Sequence, residues 1–191
     1  GGEEAMKIAF EITVIMYFII EIYILRQLSV KKNHINYKRV KSNFISASLL
    51  LLMIYLFNIR IPFLILIFYI IVLLLGSFLG YFLDFFNQSK HFDRYLHAYS
   101  TFSLSLLLYF FIINFVQSGG SKIFRLLFIV FQGVAIGAIF EIREFLADVK
   151  QKDAITPRSL MQKGLQDTDF DMIFNVLGAV CSGLFAYFFY L

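Results

Sequence analysis

One stretch of this chain is too long and too apolar to cross a membrane only once. From residue 44 to residue 83 the sequence contains a single charged side chain, Arg60. A helix rises about 1.5 Å per residue, so this stretch would be about 60 Å long, twice the thickness of a bilayer core. It must therefore turn back on itself. Residues 58–62 are the place for that turn, because Pro62 disfavours helix in the residue before it.

Similar apolar segments lie on both sides of this stretch. The 191-residue chain is 60% hydrophobic and 16% charged, whereas soluble domains are about 45–50% apolar and about 25% charged. A single core in a chain of this size cannot hide so much apolar surface, so much of that surface must face lipid. We predict an all-α protein that forms one transmembrane domain over residues 1–191. Its six predicted spans are residues 8–25, 43–58, 62–86, 95–116, 123–147 and 170–191.

The loops between these spans are unequally basic. Of the 17 Lys and Arg residues, 12 lie in or beside the first, third and fifth loops, and 4 lie near the N-terminus and the other two loops. Basic loops usually stay in the cytoplasm, which predicts cytoplasmic odd-numbered loops and both termini outside. The net charge of +4 comes from these basic residues. Because they lie beside membrane spans, we expect them to contact anionic lipid headgroups rather than nucleic acid. Nothing in this pattern specifies an oligomeric state.

The later spans contain charged residues at one end. Asp93 and His97 are four residues apart and share a helix face, as do Glu141 and Glu144, which are three apart. Charges within spans are expected to face the bundle interior or a water-filled cavity. The topology places all three helix ends at one membrane surface. The side chains expected to converge there are Asp93, His97, Glu141, Glu144, Asp169 and Asp171.

This set of oxygen ligands with one imidazole is typical of a divalent-cation site, with Mg²⁺, Mn²⁺ or Zn²⁺ as the ion. Such an ion could hold a phosphorylated lipid or cell-envelope precursor and activate water for hydrolysis or transfer. In this hypothesis Asp93, His97, Glu141 and Glu144 hold the ion. Asp169 and Asp171 are further ligands or the general base, and the candidate catalytic residues are Asp93, His97 and Asp171. The basic residues expected to attract anionic headgroups are Lys150, Lys152, Arg158 and Lys163.

Two other interpretations fit the same residues. In a small ion- or proton-coupled transporter, the polar path would continue past Thr101, Ser105 and Gln132 to the outer surface. In a purely structural network, the carboxylates would pair with Arg94 and Arg143. Whether the protein is an enzyme is left open by these alternatives.

Three neighbouring polar residues have expectations of their own. Asn175 is expected to pair with Gln132 across helices. Glu21, at the same end of the first span, is expected to reach the carboxylate set. Asp148 is expected to be a solvated helix end.

Three blocks carry a resemblance to a known group of proteins. These blocks are residues 93–97 (DRYLH), 141–145 (EIREF) and 167–172 (DTDFDM). In their order and spacing they resemble the YjdF-type inner-membrane proteins, relatives of the VanZ-like group, over the C-terminal half from Asp93 onward. VanZ-like members usually have glutamine where Glu144 stands, which favours the YjdF side. The resemblance implies a multi-pass protein of the bacterial cytoplasmic membrane with a cell-envelope role.

Overall fold

A computed structural model describes residues 2–89, 91–116, 120–150 and 160–191 of the chain. Within these ranges every regular element is a helix, which confirms the all-α prediction. The third helix continues without a break into a π-helical segment, named here the π segment. The elements are α1 (Gly2–Val30), α2 (His34–Leu56), α3 (Phe63–Leu74), the π segment (Leu75–Phe82), α4 (Phe85–Gln88), α5 (Phe92–Ile112), α6 (Lys122–Lys150) and α7 (Leu165–Phe189).

Six helices are long and apolar enough to cross a membrane, with α3 and the π segment counted as one. The six-helix transmembrane bundle predicted from the sequence is therefore confirmed. Several helices continue beyond their apolar spans: α2 begins at His34 and α7 at Leu165. Apolar length predicts only the part of a helix that crosses the membrane. The helix itself can continue into polar residues because its backbone hydrogen bonds are still satisfied there. Large apolar side chains such as Ile19 and Phe131 remain about two-thirds exposed, as lipid-facing residues are.

The chain reverses at the loop where the turn was predicted. Asn58 adopts a left-handed backbone with φ 49°, and Pro62 is the N-cap of α3. Asn114, beyond the end of α5, fastens this loop on both sides. Its side-chain oxygen accepts from the Arg60 amide at 3.0 Å, and its side-chain nitrogen donates to the Arg60 carbonyl at 3.2 Å. The second loop and the end of α5 thus lie together at one end of the bundle.

The opposite end is called the basic face here. It is formed by the connections at residues 31–33, 83–89 and 160–164. Three contacts hold these connections and the helix ends around them together: Asn36 Nδ2 to the Tyr81 carbonyl (2.9 Å), Arg39 to Asp148 (3.8 Å) and Lys163 Nζ to the Phe86 carbonyl (2.6 Å).

Small residues bring α5, α6 and α7 into close contact. A Cβ on Gly178 of α7 would collide with the backbone carbonyl of Ala98 on α5. A Cβ on Gly137 of α6 would lie 2.6 Å from the Cβ of Asn175 on α7. Without side chains at these two positions, the three helices approach closely, as small residues allow in membrane bundles. The side chains at their basic-face ends can consequently meet.

Candidate metal centre

His97 lies at the centre of a buried group of carboxylates at the basic face. Its side chain projects from α5 and the residue is only 6% exposed. Nε2 lies 3.7 Å from Asp93 Oδ1 and 3.5 Å from Glu144 Oε1, while Nδ1 lies 3.7 Å from Glu141 Oε1. The predicted i, i+4 and i, i+3 pairs thus meet at one imidazole. The "His97 cluster" denotes this residue and the four acidic residues around it: Asp93, His97, Glu141, Glu144 and Asp171.

The cluster contains two sets of groups that could hold a metal ion. One consists of Asp93, His97 and Asp171, and the other of His97, Glu141 and Glu144. Within each set the ligand atoms lie within 4.8 Å of one another. Two ligands of one ion, each bonded at about 2.1 Å, can be at most about 4.2 Å apart. The sets therefore need side-chain movements of only a few tenths of an ångström to about half an ångström to close around an ion.

Several buried atoms of the cluster have no hydrogen-bond partner. These are Nδ1 of His97, Oε1 of Glu141 and Oδ1 of Asp171. His97 and Glu141 are each 6% exposed, and Asp171 is 2% exposed. A buried polar atom without a partner costs about 1–3 kcal/mol, and more if it is charged. Three such atoms in one cluster, two of which (His97 Nδ1 and Glu141 Oε1) lie 3.7 Å apart, favour the presence of a compensating ion.

The two arginines that were expected to neutralise the cluster make other contacts. Arg94 lies over the ring of Phe170, with its guanidinium carbon 4.0 Å from the ring centroid. Arg143 is exposed and donates a hydrogen bond to the side chain of Asn43 on α2. Among the described residues, every ion pair within 4.0 Å that these carboxylates form involves His97. Neither Arg94 nor Arg143 therefore supplies the compensating charge of the cluster.

Asp169 does not join the cluster, although Asp171 does. Asp169 is exposed on α7, whereas Asp171 is buried. Residues two apart on a helix point in nearly opposite directions, so only one of the two can face α5 and α6. This is the physical reason that the structure brings together five of the six predicted ligands.

Glu21 lies against a different helix from the one expected. Its Oε1 lies at hydrogen-bond distance, 2.5 Å, from Ser77 Oγ of the π segment. The residue is 2% exposed. It belongs to the packing of α1 against the π segment, and the structure does not bring it to the His97 cluster.

The segment at residues 160–164 passes over the cluster and is fixed by Asp148. The Asp148 carboxylate accepts the backbone N–H groups of Met161 and Gln162 at 3.0 Å and also pairs with Arg39. Gln162 Nε2 then donates to the Glu141 carbonyl at 3.1 Å and to its Oε2 at 3.3 Å. Asp148 is thus bonded to this segment and is not simply a solvated helix end. No periodic pattern in the sequence marks Gln162, so its contact was not predictable.

A cavity lies beside the cluster at the basic face. Asp93 and Glu144 form part of its wall, so the cluster's carboxylates border the open space. Other polar groups around it include Asn36, Arg39 and Lys163. Of the basic residues expected near headgroups, Lys163 and Lys150 are exposed, whereas Lys152 and Arg158 lie outside the described residues.

A column of buried polar side chains extends from the cluster into the bundle. Thr101 Oγ1 donates to Asn175 Oδ1 at 2.7 Å, and Ser105 Oγ donates to the Thr101 carbonyl. Gln132 Nε2 donates to the Ser105 carbonyl at 2.7 Å, so Gln132 does not pair with Asn175 as expected. Beyond this level, buried side chains on the three helices are mainly apolar, among them Leu106, Ile129 and Ala186.

Comparison with known proteins gives a family but no activity. The model of the family described as "Predicted membrane protein (DUF2238)" matches residues 8–190. An uncharacterized protein of Thermotoga maritima is 33% identical over 104 residues, which cover 54% of this chain and 52% of that protein. The match thus spans about half the length of that relative. No solved structure matches the chain.

Proposed function

This chain belongs to the DUF2238 family of membrane proteins, and on that premise we propose that it binds a divalent cation at the His97 cluster. We further propose that the ion binds a phosphorylated lipid or cell-envelope precursor at the cytoplasmic surface of a bacterial inner membrane. The observation that supports this most directly is the buried imidazole surrounded by carboxylates whose buried atoms lack partners. A buried set of negative charges is costly unless a cation compensates it.

The two nitrogens of His97 suggest how the ion is held. Nε2 faces both Asp93 and Glu144, whereas Nδ1 faces Glu141 alone. A metal-bound imidazole usually donates its other N–H to a carboxylate, which fixes the ring orientation. Nε2 with Asp93 and Asp171, one of the two sets described above, therefore forms the proposed ion side, and Glu141 orients the ring. Glu144, whose Oε1 lies 3.5 Å from Nε2, supplies a further oxygen from α6.

The cavity beside the cluster supports a phosphorylated ligand. An ion held by Asp93 and Glu144 would lie at its wall, where open coordination positions can be filled by phosphate oxygens. Arg39 and Lys163 also line this cavity and add positive charge near a bound anion. The aromatic wall residue Tyr81 suits an amphiphilic ligand. This combination of ion, basic side chains and apolar wall favours a lipid phosphate over a fully hydrated solute.

Chemistry on such a ligand would follow from the same ion. A bound divalent cation polarises phosphoryl oxygens and lowers the pKa of a bound water, which hydrolysis or headgroup transfer requires. Asp93, His97 and Asp171 are the proposed groups that position this water and accept its proton. The cell-envelope role implied by the YjdF-type resemblance is consistent with this substrate class.

The polar column gives the transporter interpretation less support. Its outermost hydrogen bond joins Gln132 to Ser105, and the buried residues Leu106 and Ile129 that lie next to them are apolar. A binding or catalytic site needs no opening on the far side. The basic face is proposed to be cytoplasmic because it carries the lysine- and arginine-rich connections.

The decisive experiment is metal analysis of the purified full-length protein in lipid nanodiscs. The protein is equilibrated with Mn²⁺, freed of unbound ion and assayed for Mn²⁺ per chain. We expect about one tightly bound ion in the wild type, a loss of at least tenfold in affinity in His97→Ala and Glu144→Gln, and little change in Asp169→Asn. Asp169 is the matched control because it lies two residues from Asp171 but outside the cluster. Absence of bound Mn²⁺, Mg²⁺ and Zn²⁺ from the wild type, with unchanged thermal stability in EDTA, would overturn the proposal.

A second measurement separates the ligand from the ion. Binding of the protein to vesicles that contain phosphatidic acid is compared with its binding to matched phosphatidylcholine vesicles, with and without Mn²⁺. We expect Mn²⁺-dependent binding of the phosphatidic acid alone. Ion binding without such lipid binding would retain the metal centre and reject the phosphorylated-lipid part.

A further inference from the structure

A second carboxylate lies deep in the bundle, away from the His97 cluster. Glu21 belongs to a stripe on α1 in which every member is almost completely buried: Tyr17 (1% exposed), Glu21 (2%), Ile24 (0%) and Leu28 (1%). The spacing of four, three and four residues places all of them on one helix face. Glu21 is the acidic member of an otherwise apolar and aromatic stripe. The carboxyl group of Glu21 therefore packs among side chains that offer it no opposite charge.

No basic side chain of the described residues forms an ion pair with Glu21. Arg26, the basic residue closest to it along α1, is exposed on another face of the helix. The phenol of Tyr17, one turn before Glu21 on α1, interacts with Glu21, and Tyr69 of α3 lies near that phenol. The residues of α2 that pack with this stripe are apolar: Ala47 lies in the same hydrophobic cluster as Tyr17, and Val40 lies in that of Ile24 and Leu28. An ionised Glu21 would therefore be an uncompensated charge in the interior of the bundle.

The hydrogen bonds around Ser77 indicate which protonation state fits. Ser77 Oγ lies 2.5 Å from Glu21 Oε1 and 2.9 Å from the carbonyl oxygen of Leu73, one turn earlier. A serine hydroxyl has one proton to donate, and both a carboxylate and a carbonyl can only accept. If Glu21 is ionised, one of these two contacts has no hydrogen. If Glu21 is a carboxylic acid, it donates to Ser77 Oγ and Ser77 donates to Leu73, so both contacts are satisfied.

Glu21 Oε2 is consistent with the same assignment. This atom is buried and has no hydrogen-bond partner. In a carboxylic acid it is a neutral carbonyl oxygen, whose burial is much less costly than that of a charged oxygen. A metal ion would need several oxygen ligands, whereas within the described part of the chain the hydrogen-bond contacts of Glu21 provide Ser77 Oγ alone. The site thus fits a proton.

We propose that Glu21 and Ser77 form a proton-binding site in the interior of the bundle, with the proton on Glu21 and hydrogen-bonded to Ser77 Oγ. The π segment that carries Ser77 also carries Gly80 and Tyr81, which line the cavity beside the His97 cluster. The proton site and the wall of the cavity are therefore parts of one helical segment. The site is independent of the proposed metal centre and would stand if that centre were rejected.

The test uses a hydrophobic carbodiimide on the full-length protein in membrane vesicles at neutral pH. The protonated carboxyl adds to the reagent: its oxygen bonds to the central carbon, its proton moves to one nitrogen, and the acyl group then shifts to nitrogen as a stable N-acylurea. No group leaves, so the peptide gains the whole mass of the reagent. We expect this adduct on Glu21, its loss in Glu21→Gln and its retention in Glu11→Gln, the matched change on the same helix.

Infrared difference spectroscopy provides a readout that does not depend on reagent access. We expect the wild type minus Glu21→Gln spectrum to contain the carbonyl band of a protonated carboxylic acid. A carboxylate band in its place, or an unmodified Glu21 under conditions that label other carboxyls, would overturn the proposal. Protection of Glu21 by Na⁺ at constant pH would also overturn it, in favour of a cation site.

Discussion

His97 on α5 and Glu144 on α6 bring Nε2 and Oε1 to within 3.5 Å of each other in the buried basic-face end of the bundle. The imidazole makes similar approaches to Asp93 and Glu141, at 3.7 Å each. These separations exceed a hydrogen-bond distance of about 3.2 Å. They are nevertheless within the span that two ligands of one ion cover. We therefore expect substitutions at the His97–Glu144 pair to change cation binding most directly.

A cation that binds only the folded protein should stabilise it. At a free concentration one hundred times its dissociation constant, an ion adds about 2.7 kcal/mol to the free energy of unfolding. We expect Mn²⁺ to raise the Tm of the wild type and EDTA to reverse the increase. In Glu144→Gln the increase should be absent, whereas Asp169→Asn should retain it. Equal Tm shifts in Glu144→Gln and the wild type would contradict this assignment of Glu144.

Arg143 distinguishes a metal centre from a structural salt-bridge network. Its guanidinium is exposed and bonds to Asn43 rather than to the cluster. We expect Arg143→Gln to change the Mn²⁺ affinity by less than about twofold and the free energy of unfolding by less than about 1 kcal/mol, as for other surface pairs. Equilibrium Mn²⁺ titration and unfolding in a mild denaturing detergent would measure both. A large loss of stability would instead favour the structural network.

Asp148 should hold the segment at residues 160–164 in place over Glu141. In Asp148→Ala the backbone N–H groups of Met161 and Gln162 lose their acceptor. We expect faster hydrogen exchange at these two amides and a weaker ion affinity, by about 10-fold, because Gln162 would no longer be held against Glu141. Exchange measured by mass spectrometry on the peptide that contains residues 160–164 would test this. Asp167→Ala, which removes a contact to the Lys163 amide in the same segment, is the matched comparison.

Gly178 should tolerate no side chain. A methyl group there would meet the Ala98 backbone carbonyl, which cannot rotate away as a side chain can. We expect Gly178→Ala to separate α5 from α7 and to cost about 1–3 kcal/mol or more. Gly76→Ala is the control, since its nearest neighbour would be the flexible Leu96 side chain at 3.7 Å. Thermal unfolding in detergent should show a clear loss for the first variant and little change for the second.

The orientation of the basic face can be measured with single cysteines in a Cys181→Ser background. Gln88 is exposed at the basic face, and Ser121 is exposed at the other end of the bundle. We expect a membrane-impermeant maleimide added to intact cells to label Ser121→Cys and not Gln88→Cys. Both should react after permeabilisation. The reverse pattern would place the basic face outside and exclude a cytoplasmic ligand.

The sequence predicted the parts of the fold and site that depend on length and helical periodicity. Apolar length predicted six spans, and the spacing of Asp93 from His97 and of Glu141 from Glu144 predicted which faces they share. Alternating helix directions brought these faces to one end of the bundle. The same periodicity excludes Asp169 once Asp171 is placed inside, since residues two apart diverge. Applied to both residues, this periodicity would have predicted that Asp169 and Asp171 cannot both face the cluster.

The remaining features depend on contacts that have no periodic signal. Gln162 reaches Glu141 because Asp148 fixes a non-helical segment, and nothing in the residue order specifies that path. Glu21 was expected at the cluster because its depth along α1 is similar. Its direction, however, is set by packing against Ser77. The π segment that positions Ser77 has no distinctive sequence pattern either. Tertiary packing, rather than local propensity, decides these placements.

The five cluster residues all belong to α5, α6 and α7, whereas Asn36, Arg39 and Tyr81 of the cavity wall belong to the first half of the chain. Under the proposed function, this arrangement assigns ion binding to one half of the chain and ligand selection to the other. Relatives that handle different ligands should then vary in α2 and the π segment while keeping the other half intact. Exchanging the first three helices between two relatives would accordingly be the direct route to altering specificity without losing the ion.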